Sequence, residues 1–319
     1  MYTHRIMITG ATGYIGVNII SKILNEYENV TVIAAVRDQE QANKLAKTFN
    51  NNPRLSFEFG ELPNHVWKIN DIDILIHAAG ILNKKDPSKL FQINVDGTRR
   101  LLEKAKDAQV KRFIYLSSQS VYGTRGQSPW LEEMPAQPEV LYAVSKYAGE
   151  LLCFEEEFST LQTIIFRLAR VYGNGLLVHN NILPHYYAKL VANKEPITIF
   201  TYNQNSVNYI HISDVMEAVS KVISTKDLPN KLLLNIGDHR AYTNLELGSI
   251  CQEVAEFSQC DKPLLKFVKK HIKPSQAFTM DIKKAKTYLD WSPITTMEEG
   301  MIKLINANTD HHGMHNSIK

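Results

Sequence analysis

The stretch Ile6–Gly16, which reads IMITGATGYIG, decides the fold of this chain. Its apolar start predicts the end of a buried strand, and the residues from Tyr14 onward have the spacing of an amphipathic helix. Three glycines lie in this stretch, at Gly10, Gly13 and Gly16. Such glycines allow a tight turn, close approach of the backbone to a pyrophosphate, and close packing of helix against strand. Because a helix N-terminus favours anions, the stretch predicts a dinucleotide-binding domain.

The composition is that of an ordinary globular protein, with 319 residues, 44% hydrophobic and 22% charged, and a formal net charge of +3. The basic residues are scattered, so neither nucleic acid nor a membrane is expected as a partner. Without a membrane-spanning stretch or a signal peptide pattern, we expect a cytoplasmic protein. The cysteines Cys153, Cys251 and Cys260 lack metal-site spacing and are expected to be reduced, so no metal site is predicted.

Apolar β-branched runs alternate with helical patterns through the first half of the chain. This alternation predicts an α/β fold with a doubly wound parallel sheet, the Rossmann architecture. Further strands are expected at Val30–Val36, Leu55–Phe59, Ile72–His77, Arg112–Ser117 and Thr163–Phe166. Helices are expected at Gln39–Phe49, Asn94–Ala108 and Tyr142–Phe158.

The pattern loosens into loops and short helices after residue 173. Two β-like runs follow, Ile197–Phe200 and Leu232–Ile236, and the second is expected to rejoin the main sheet. The sequence therefore predicts a Rossmann domain and a smaller α/β substrate-binding lobe. Their expected bounds are 1–173 with 207–239 returning to it for the first, and 174–206 with 240–319 for the second. Ligands bind at the carboxyl ends of parallel strands, so the cleft between domain and lobe is the expected site.

A candidate catalytic group consists of Ser118, at a strand end, and the pair Tyr142 and Lys146 on a predicted helix. Residues four apart lie on the same helix face, so the ammonium is expected to favour the phenolate and lower the tyrosine pKa. Such a tyrosine can exchange a proton with a carbinol while hydride passes to or from a nicotinamide, and the serine would hold the same oxygen in line. The alternative is a surface pair without function, but the nearby glycine loop favours catalysis.

These motifs belong to a longer series that resembles a known family, the extended short-chain dehydrogenases/reductases. Within it the resemblance is to the NAD(P)-dependent epimerase/dehydratase group, which includes nucleotide-sugar epimerases, dehydratases and ketoreductases. The segments that carry the resemblance are Thr9–Gly16, His77–Gly80, Asn94–Thr98, Leu116–Gly123, Pro138–Glu150, Arg167–Gly173, Asn208–Val215 and Asp281–Ala285. They cover nearly the whole length of the chain.

The resemblance implies roles for particular residues. Ser118, Tyr142 and Lys146 correspond to the family's catalytic triad, of which the last two also contact the cofactor. The other residues expected at the cofactor are Gly10, Thr12, Gly13, Tyr14 and Ile15 at the pyrophosphate, Ala78, Ala79 and Gly80 beneath it, and Glu61 and Leu62 at the adenine. The resemblance also implies a structural role for Asn94, and a homodimer formed through the helices at Asn94–Ala108 and Tyr142–Phe158.

The end of the second predicted strand bears on the choice between NAD(H) and NADP(H). NAD-preferring members place an acidic residue there, which binds the ribose 2′-hydroxyl. This chain has Val36 followed by Arg37. A guanidinium suits a 2′-phosphate, so NADP(H) is favoured. NAD(H) is the alternative, with Asp38 serving the ribose.

The residues after Ser118 bear on the reaction. Dehydratase members have Asp-Glu there, whereas this chain has Gln119 and Ser120, neither of which is a general acid at neutral pH. A sugar dehydratase is therefore not expected. On the substrate side we predict contacts from Ser120, from Asn181, which begins an Asn-aliphatic-aliphatic-Pro segment like that of nucleotide-sugar enzymes, and from His179 in the same loop.

One family motif is altered. Its Arg-Asp-Phe, whose arginine binds the substrate diphosphate, is replaced here by Val207, Asn208 and Tyr209. Loss of such a charge-assisted contact costs on the order of 1.5–3 kcal/mol unless another cation substitutes. The candidate replacements are Arg170, Lys189, Lys266 and Lys273.

The sequence thus predicts an NAD(P)-dependent 4-epimerase or 4-ketoreductase of a nucleotide sugar. Two alternatives stay open. One is an NADPH-dependent reductase of a non-nucleotide ketone or aldehyde, because Val36, Arg37 and Asp38 resemble the flavonoid-type reductases. The other is a protein that senses NADP(H) without turnover, against which the intact catalytic triad argues.

Overall fold

The computed structural model describes residues 4–82, 85–124, 127–177, 182–200, 205–268 and 277–315. The strands are β1 His4–Thr9, β2 Val30–Val36, β3 Leu55–Phe59, β4 Ile74–His77, β5 Arg112–Ser118, β6 Gln162–Leu168, β7 Arg170–Tyr172, β8 Ile197–Phe200, β9 Val207–His211, β10 Lys231–Ile236, β11 Ala241–Tyr242 and β12 Leu265–Val268. The helices are α1 Tyr14–Glu26, α2 Gln39–Thr48, α3 Pro87–Phe91, α4 Gly97–Asp107, α5 Leu141–Phe154, α6 Leu183–Ala192, α7 Ile212–Ser224, α8 Asn244–Val254, α9 Lys283–Leu289 and α10 Met297–His315.

A 7-stranded sheet forms the centre of the molecule, in the order β10-β6-β5-β4-β1-β2-β3. All its neighbouring strands are parallel. Successive strand residues point to opposite faces, and both faces are apolar. Ile8 and Ile114 pack with α1 and α7, whereas Met7 and Phe113 pack with α4 and α5. The predicted doubly wound Rossmann sheet is confirmed.

A second apolar core forms the smaller lobe. It contains Tyr187 of α6, Ile199 of β8, Leu247 of α8 and Met301 of α10. Strands β8 and β12 form a separate parallel pair beside it. The residues of this second core come from two separated stretches of the chain.

The predicted bounds of the two units need correction. β10 does rejoin the main sheet beside β6, but β9, in the returning segment 207–239, lies in a 3-stranded sheet with β7 and β11. Within 240–319, which we assigned to the lobe, the side chains of Phe278, Met280 and Trp291 pack into the Rossmann core. Apolar spacing predicts that a residue is buried, but it does not say which of two cores buries it.

Differences between predicted and observed element bounds include those at β4, α4 and α5. β4 begins after Asp71, whose φ of 53° is outside the strand region. One turn of π-helix at Gln92–Asp96 precedes α4, so the predicted helix Asn94–Ala108 is divided. α5 ends at Phe154 because Glu155 adopts an extended conformation, and a short 3₁₀ turn follows.

A buried ion pair attaches α5 to the sheet. Arg167 Nη2 of β6 lies 2.6 Å from Glu150 Oε2 of α5, with side chains only 4% and 3% exposed. Ser117 Oγ donates to the same carboxylate. The guanidinium carbon of Arg167 also lies 4.6 Å from the centre of the Tyr122 ring. These contacts hold the helix with the predicted catalytic pair against the strand that ends at the predicted catalytic serine.

We expect Glu150→Gln to lower the free energy of unfolding by about 3–5 kcal/mol, because Arg167 would remain charged and buried without its counter-ion. Denaturant unfolding of both proteins measures this difference. The matched control is Lys194→Gln, which removes an ion pair with Asp261 whose side chains are 73% and 76% exposed. That variant should unfold almost as the parent protein does. Equal small effects of the two substitutions would contradict the assigned role of the buried pair.

Candidate active site

The loop between β1 and α1 forms a cradle of backbone atoms. Gly10 has a φ of +67°, and a Cβ there would lie 2.6 Å from the backbone of Ala78 and Ala79, so only glycine fits. Gly13 N donates to Gly10 O at 2.9 Å. α1 begins at Tyr14 with no side-chain cap and no acidic residue in its first turn. Its N-terminal N–H groups and dipole can therefore serve an anion, and the loop fits a dinucleotide pyrophosphate.

The other residues predicted at this loop have different surroundings. Tyr14 Oη donates to Gly173 O at 3.0 Å, so its side chain joins α1 to the loop after β7. Burial raises the pKa of this phenol. Ile15 packs against the Rossmann core. Thr12 lines a cavity of about 190 Å³ together with Lys44 of α2. The backbone of this loop, more than its side chains, faces the expected pyrophosphate.

A chain of buried polar groups fixes the turn formed by residues 78–80. Thr9 Oγ1 lies 2.7 Å from His77 Nδ1, and His77 Nε2 lies 3.0 Å from Thr98 Oγ1. Thr98 donates to Asn94 O at 2.7 Å, so its oxygen accepts from His77, which places the imidazole proton on Nε2. Burial, with a smaller effect of the Lys146 charge, lowers the His77 pKa to about 3, so the ring is neutral.

The residues expected at the adenine lie just after β3. The backbone of Glu61 exchanges two hydrogen bonds with His65, and its side chain is exposed. Leu62 packs against the start of α4, where a Cβ on Gly97 would lie 2.9 Å from the Leu62 Cβ. Their contact with adenine stays a prediction.

The three predicted catalytic residues meet at the carboxyl end of β5. Ser118 lies close enough to the Tyr142 phenol to lower its pKa. Lys146 follows one turn later on α5, and its Nζ lies 4.6 Å from the centre of the Tyr115 ring. The same Nζ lies 3.7 Å from the position that a Cβ on Gly80 would take. The ammonium is therefore next to the turn expected beneath the cofactor.

The pKa of the tyrosine differs from the sequence-based expectation. Burial raises the Tyr142 pKa to about 12, and the hydrogen bond from Ser118 lowers it by less. Burial also lowers the Lys146 pKa to about 8, which leaves the amine mainly protonated at pH 7. The predicted lowering of the Tyr142 pKa is wrong for these surroundings, because desolvation of the phenolate outweighs the stabilising contact.

The hydroxyl of Ser118 has a defined orientation. It accepts hydrogen bonds from Ser120 N at 3.2 Å and from Ser120 Oγ at 3.0 Å. A hydroxyl has one proton and two acceptor sites, so the Ser118 proton is left for the Tyr142 oxygen. Ser120 thus orients the predicted catalytic serine, and its contact with substrate stays a prediction. Next to it, Gln119 is 9% exposed, and its Oε1 has no hydrogen-bond partner among the described residues.

The first turn of α5 is held from the other side by Asn94. Its Nδ2 donates to Ser145 Oγ at 3.0 Å, and Ser145 Oγ donates to Tyr142 O at 2.8 Å. The Asn94 amide also exchanges hydrogen bonds with the backbone of Ile81. These contacts agree with the structural role implied for Asn94. The contact role of Ser145 is not predicted from the sequence, where the only signal for it is that a serine directly precedes Lys146.

Arg37 and Asp38 follow β2 at the edge of the cradle. Arg37 is exposed, and within the described ranges its guanidinium has no acidic partner. Its backbone N–H donates to Gln41 Oε1 at 3.0 Å. Asp38 Oδ1 accepts from Gln41 N at 2.8 Å and caps the N-terminus of α2. The carboxylate is therefore engaged in capping a helix, whereas the cation is available to a ligand.

This combination of cradle and triad can be compared with known proteins. The family model described as "NAD dependent epimerase/dehydratase family" matches residues 6–237. The chain belongs to this family. It is thus an enzyme of the extended short-chain dehydrogenase/reductase family, and the resemblance found in the sequence is confirmed.

Curated relatives of this epimerase/dehydratase family member are distant but cover it almost completely. The dTDP-D-glucose 4,6-dehydratase of Bos taurus is 26% identical over 95% of this chain and 88% of its own length. The uncharacterised UDP-glucose epimerase YtcB of Bacillus subtilis is 25% identical over 93% of this chain and 95% of its own. Among solved structures, the UDP-glucuronic acid 4-epimerase of Bacillus cereus, in complex with UDP-glucuronic acid and NAD, has a TM-score of 0.80 at 23% identity and covers 96% of this chain and 99% of its own. This likeness supports the fold.

The substrate side of the epimerase/dehydratase site is only partly described. His179, Asn181 and Lys273 lie outside the described residues, so those predictions are not tested. Arg170, Lys189 and Lys266 are described, and all are exposed.

Two further observations concern the described ranges alone. They contain no group of three or more His, Cys, Asp and Glu side chains placed to hold a metal ion. They also contain no helix with the length and hydrophobicity needed to cross a bilayer.

Proposed function

We propose that this enzyme is an NAD(P)-dependent 4-epimerase of a nucleotide sugar that acts through Tyr142. The observation that carries the proposal is the contact between Ser118 and Tyr142 at the end of β5, with Lys146 one turn away and next to the dinucleotide cradle. Relatives named for UDP-sugar epimerisation support the substrate class.

The chain's own groups account for the proton transfers. When bound, the nicotinamide supplies the acceptor and donor of hydride. Tyr142 Oη takes the proton of the sugar C4 hydroxyl and later returns a proton to the oxygen of the 4-keto sugar, after the sugar presents its other face. With a pKa of about 12 beside Lys146, the Tyr142 phenol is protonated at neutral pH in the free protein and is an acid for the 4-keto oxygen. The positive charge of an oxidised nicotinamide, added to that of Lys146, would favour the phenolate and so let Tyr142 act as the base when the dinucleotide is bound. Ser118 donates its proton to the phenolate and holds it in line.

The residues after Ser118 argue against a dehydratase. Elimination of water needs an acid and a base at the sugar, and dehydratase members of the family place Asp and Glu there. Gln119 cannot release a proton, and the hydroxyl of Ser120 is engaged with Ser118 Oγ at 3.0 Å. A reaction that changes the sugar at C4 without eliminating water therefore fits this site better than a dehydration.

We expect Tyr142→Phe to lower turnover by roughly 100-fold or more, because proton transfer loses its acid and base, while dinucleotide binding is largely kept. The assay follows the C4 configuration of UDP-glucose and UDP-glucuronic acid by NMR, with dinucleotide binding measured by calorimetry. Tyr147→Phe, on an adjacent turn of α5, is the matched control and should keep full turnover. Unchanged turnover in Tyr142→Phe would remove this residue from the mechanism. A parent protein that binds dinucleotide but converts no carbinol or ketone would revive the sensing alternative.

A second candidate is an NADPH-dependent 4-ketoreductase, which the surroundings of Arg37 favour. The guanidinium is exposed and without an acidic partner in the described part of the chain, and Asp38 is engaged as the cap of α2. The cavity that Thr12 lines contains one cation, Lys44, and one carboxylate, Glu40, so the cation that decides the argument is Arg37. Its guanidinium suits a 2′-phosphate, so we extend the proposal to a preference for NADP(H).

Arg37→Ala should weaken NADPH binding about tenfold or more and NADH binding by less than about threefold, because only NADPH carries the 2′-phosphate. Titration calorimetry with both dinucleotides measures the difference. Lys47→Ala, an exposed cation at the other end of α2, is the control. Equal weakening of both dinucleotides would contradict the assignment of Arg37.

Release of nucleotide from the purified protein separates the two candidates. An epimerase must keep its dinucleotide through both hydride transfers, whereas a reductase must exchange it at each turnover. Retained NAD(H), identified by mass spectrometry after denaturation, would favour the epimerase and contradict the NADP preference. A site that exchanges NADPH freely would favour the ketoreductase.

We also propose a homodimer through α5. Its outer face carries Leu151 and Phe154, which are 53% and 39% exposed, and Tyr147, one turn earlier, is half-buried against the Rossmann core. Their spacing places them on one side of the helix. Arg99 of α4 lies beside them and pairs with Glu155 at 3.1 Å. A second copy of this face would bury the apolar row.

Leu151→Asp should convert the dimer to a monomer, since two carboxylates would be buried across the twofold axis. Light scattering after gel filtration gives the mass. Phe257→Asp, at a side chain that is 76% exposed in the other lobe, is the control and should leave the mass unchanged. A parent protein that is monomeric at all concentrations would contradict the proposed interface.

A further inference from the structure

Arg170 occupies a position next to the triad that neither the family model nor the catalytic mechanism assigns. It begins β7 just after β6 ends at Leu168. Leu168 pairs with Ser118 in the register of β6 and β5, so Arg170, two residues later, lies beyond the carboxyl edge of the sheet and past the level of the predicted catalytic serine. Its side chain is exposed. Substrates of doubly wound folds bind in this region.

The register of the small sheet relates Arg170 to Val207. Arg170 of β7 is the partner of Tyr209 of β9, so the two side chains are on the same face. Val207 precedes Tyr209 by two residues on that strand and therefore shares the face. Diagonal neighbours of this kind are roughly 7–8 Å apart, which an arginine side chain can span. The guanidinium of Arg170 can thus reach the same region as the side chain of an arginine at position 207.

The guanidinium of Arg170 lies beside a fixed side chain and still has donors to offer. Arg170 is the strand partner of Tyr209, and its charge acts to lower the Tyr209 pKa, which burial raises by more. Tyr209 is itself fixed, since it is 2% exposed and its ring lies edge-on to Tyr172 at 6.3 Å. A guanidinium has five N–H donors, so one contact leaves a fork for an oxyanion. In the part of the chain that the structure describes, no acidic side chain pairs with Arg170.

The other described cations fit this region less well. Arg240 is paired with Glu246 at 3.1 Å and stacks on the Tyr242 ring at 4.7 Å. Lys189 is in the last turn of α6, and Lys266 is on β12, whose partner is β8. Neither element pairs with β7 or β9 in the described sheets.

Resting on the proposed nucleotide-sugar substrate, we infer that Arg170 binds the substrate diphosphate in place of the arginine that Val207 replaces. The positive charge has moved from β9 to the neighbouring strand, on the same face of the sheet. A bidentate contact from this guanidinium fixes the diphosphate and so sets how far the sugar extends toward Tyr142.

Titration calorimetry with UDP and with dTDP tests the inference without any need for turnover. Arg170→Gln should weaken binding of the diphosphate about 10–100-fold, as expected when charge-assisted hydrogen bonds are lost. Binding of uridine or thymidine, which have no phosphate, and of the dinucleotide should stay unchanged. Lys189→Gln removes an exposed cation elsewhere and should have no effect.

Moving the positive charge from position 170 to position 207 makes the test specific. Arg170→Gln combined with Val207→Arg should restore diphosphate affinity to within about threefold of the parent protein, because the guanidinium returns to the same face from β9. Full diphosphate affinity in Arg170→Gln alone would overturn the inference and leave the proposed function standing. Equal loss of nucleoside and diphosphate binding would also overturn it, since that indicates a structural role. A parent protein that binds dinucleotide but neither diphosphate would overturn the nucleotide-sugar function itself.

Discussion

The buried ion pair between Glu150 and Arg167 is the contact on which the geometry of the site depends. α5 carries Tyr142, Lys146 and Glu150 at successive turns, so a contact at the third turn sets the position of the first. A slip of one residue along α5 would move the phenol by about 1.5 Å and rotate it away from Ser118. Buried pairs contribute little net stability compared with apolar replacements, because desolvation is costly. The main effect of this pair is therefore to fix the position of α5 relative to β6.

Asn94 adds a second constraint on the same helix. Through Ser145 it holds the first turn of α5, while Glu150 and Ser117 hold the third. The two attachments come from opposite ends of the site, one from the turn before α4 and one from β5. The phenol therefore sits on a rigid element, which proton transfer over a short distance requires.

The fold could be predicted from the sequence, and the candidate triad could be selected there, because both depend on local spacing. Glycine positions in Ile6–Gly16 and apolar runs such as Val30–Val36 identify strand, turn and helix without knowledge of distant residues. The pKa of Tyr142 could not be predicted in this way, because it depends on how much of the folded protein surrounds the phenol. The same is true of Trp291, whose place in the Rossmann core depends on where α9 and its neighbours pack.

The small sheet of β7, β9 and β11 lies between the two apolar cores. Along β9, Tyr209 packs into the core of the lobe, whereas Ile210 packs into the Rossmann core. β7 does the same, since Val171 packs against the Rossmann core and Tyr172 packs into the core of the lobe. A motion of one core relative to the other would therefore have to shear the pairing of β7 with β9, so strand pairing holds the distance between the proposed diphosphate region and the triad.

The cap of α2 has a consequence for how the enzyme could change its cofactor. The Asp38 carboxylate accepts from Gln41 N at 2.8 Å, and loss of such a cap typically costs about 1 kcal/mol. An ancestor or descendant that used this carboxylate for a ribose hydroxyl would have to give up the cap or supply another. A change of cofactor that recruits Asp38 would therefore also change the stability of α2, so the proposed dinucleotide preference and the N-terminus of this helix are linked.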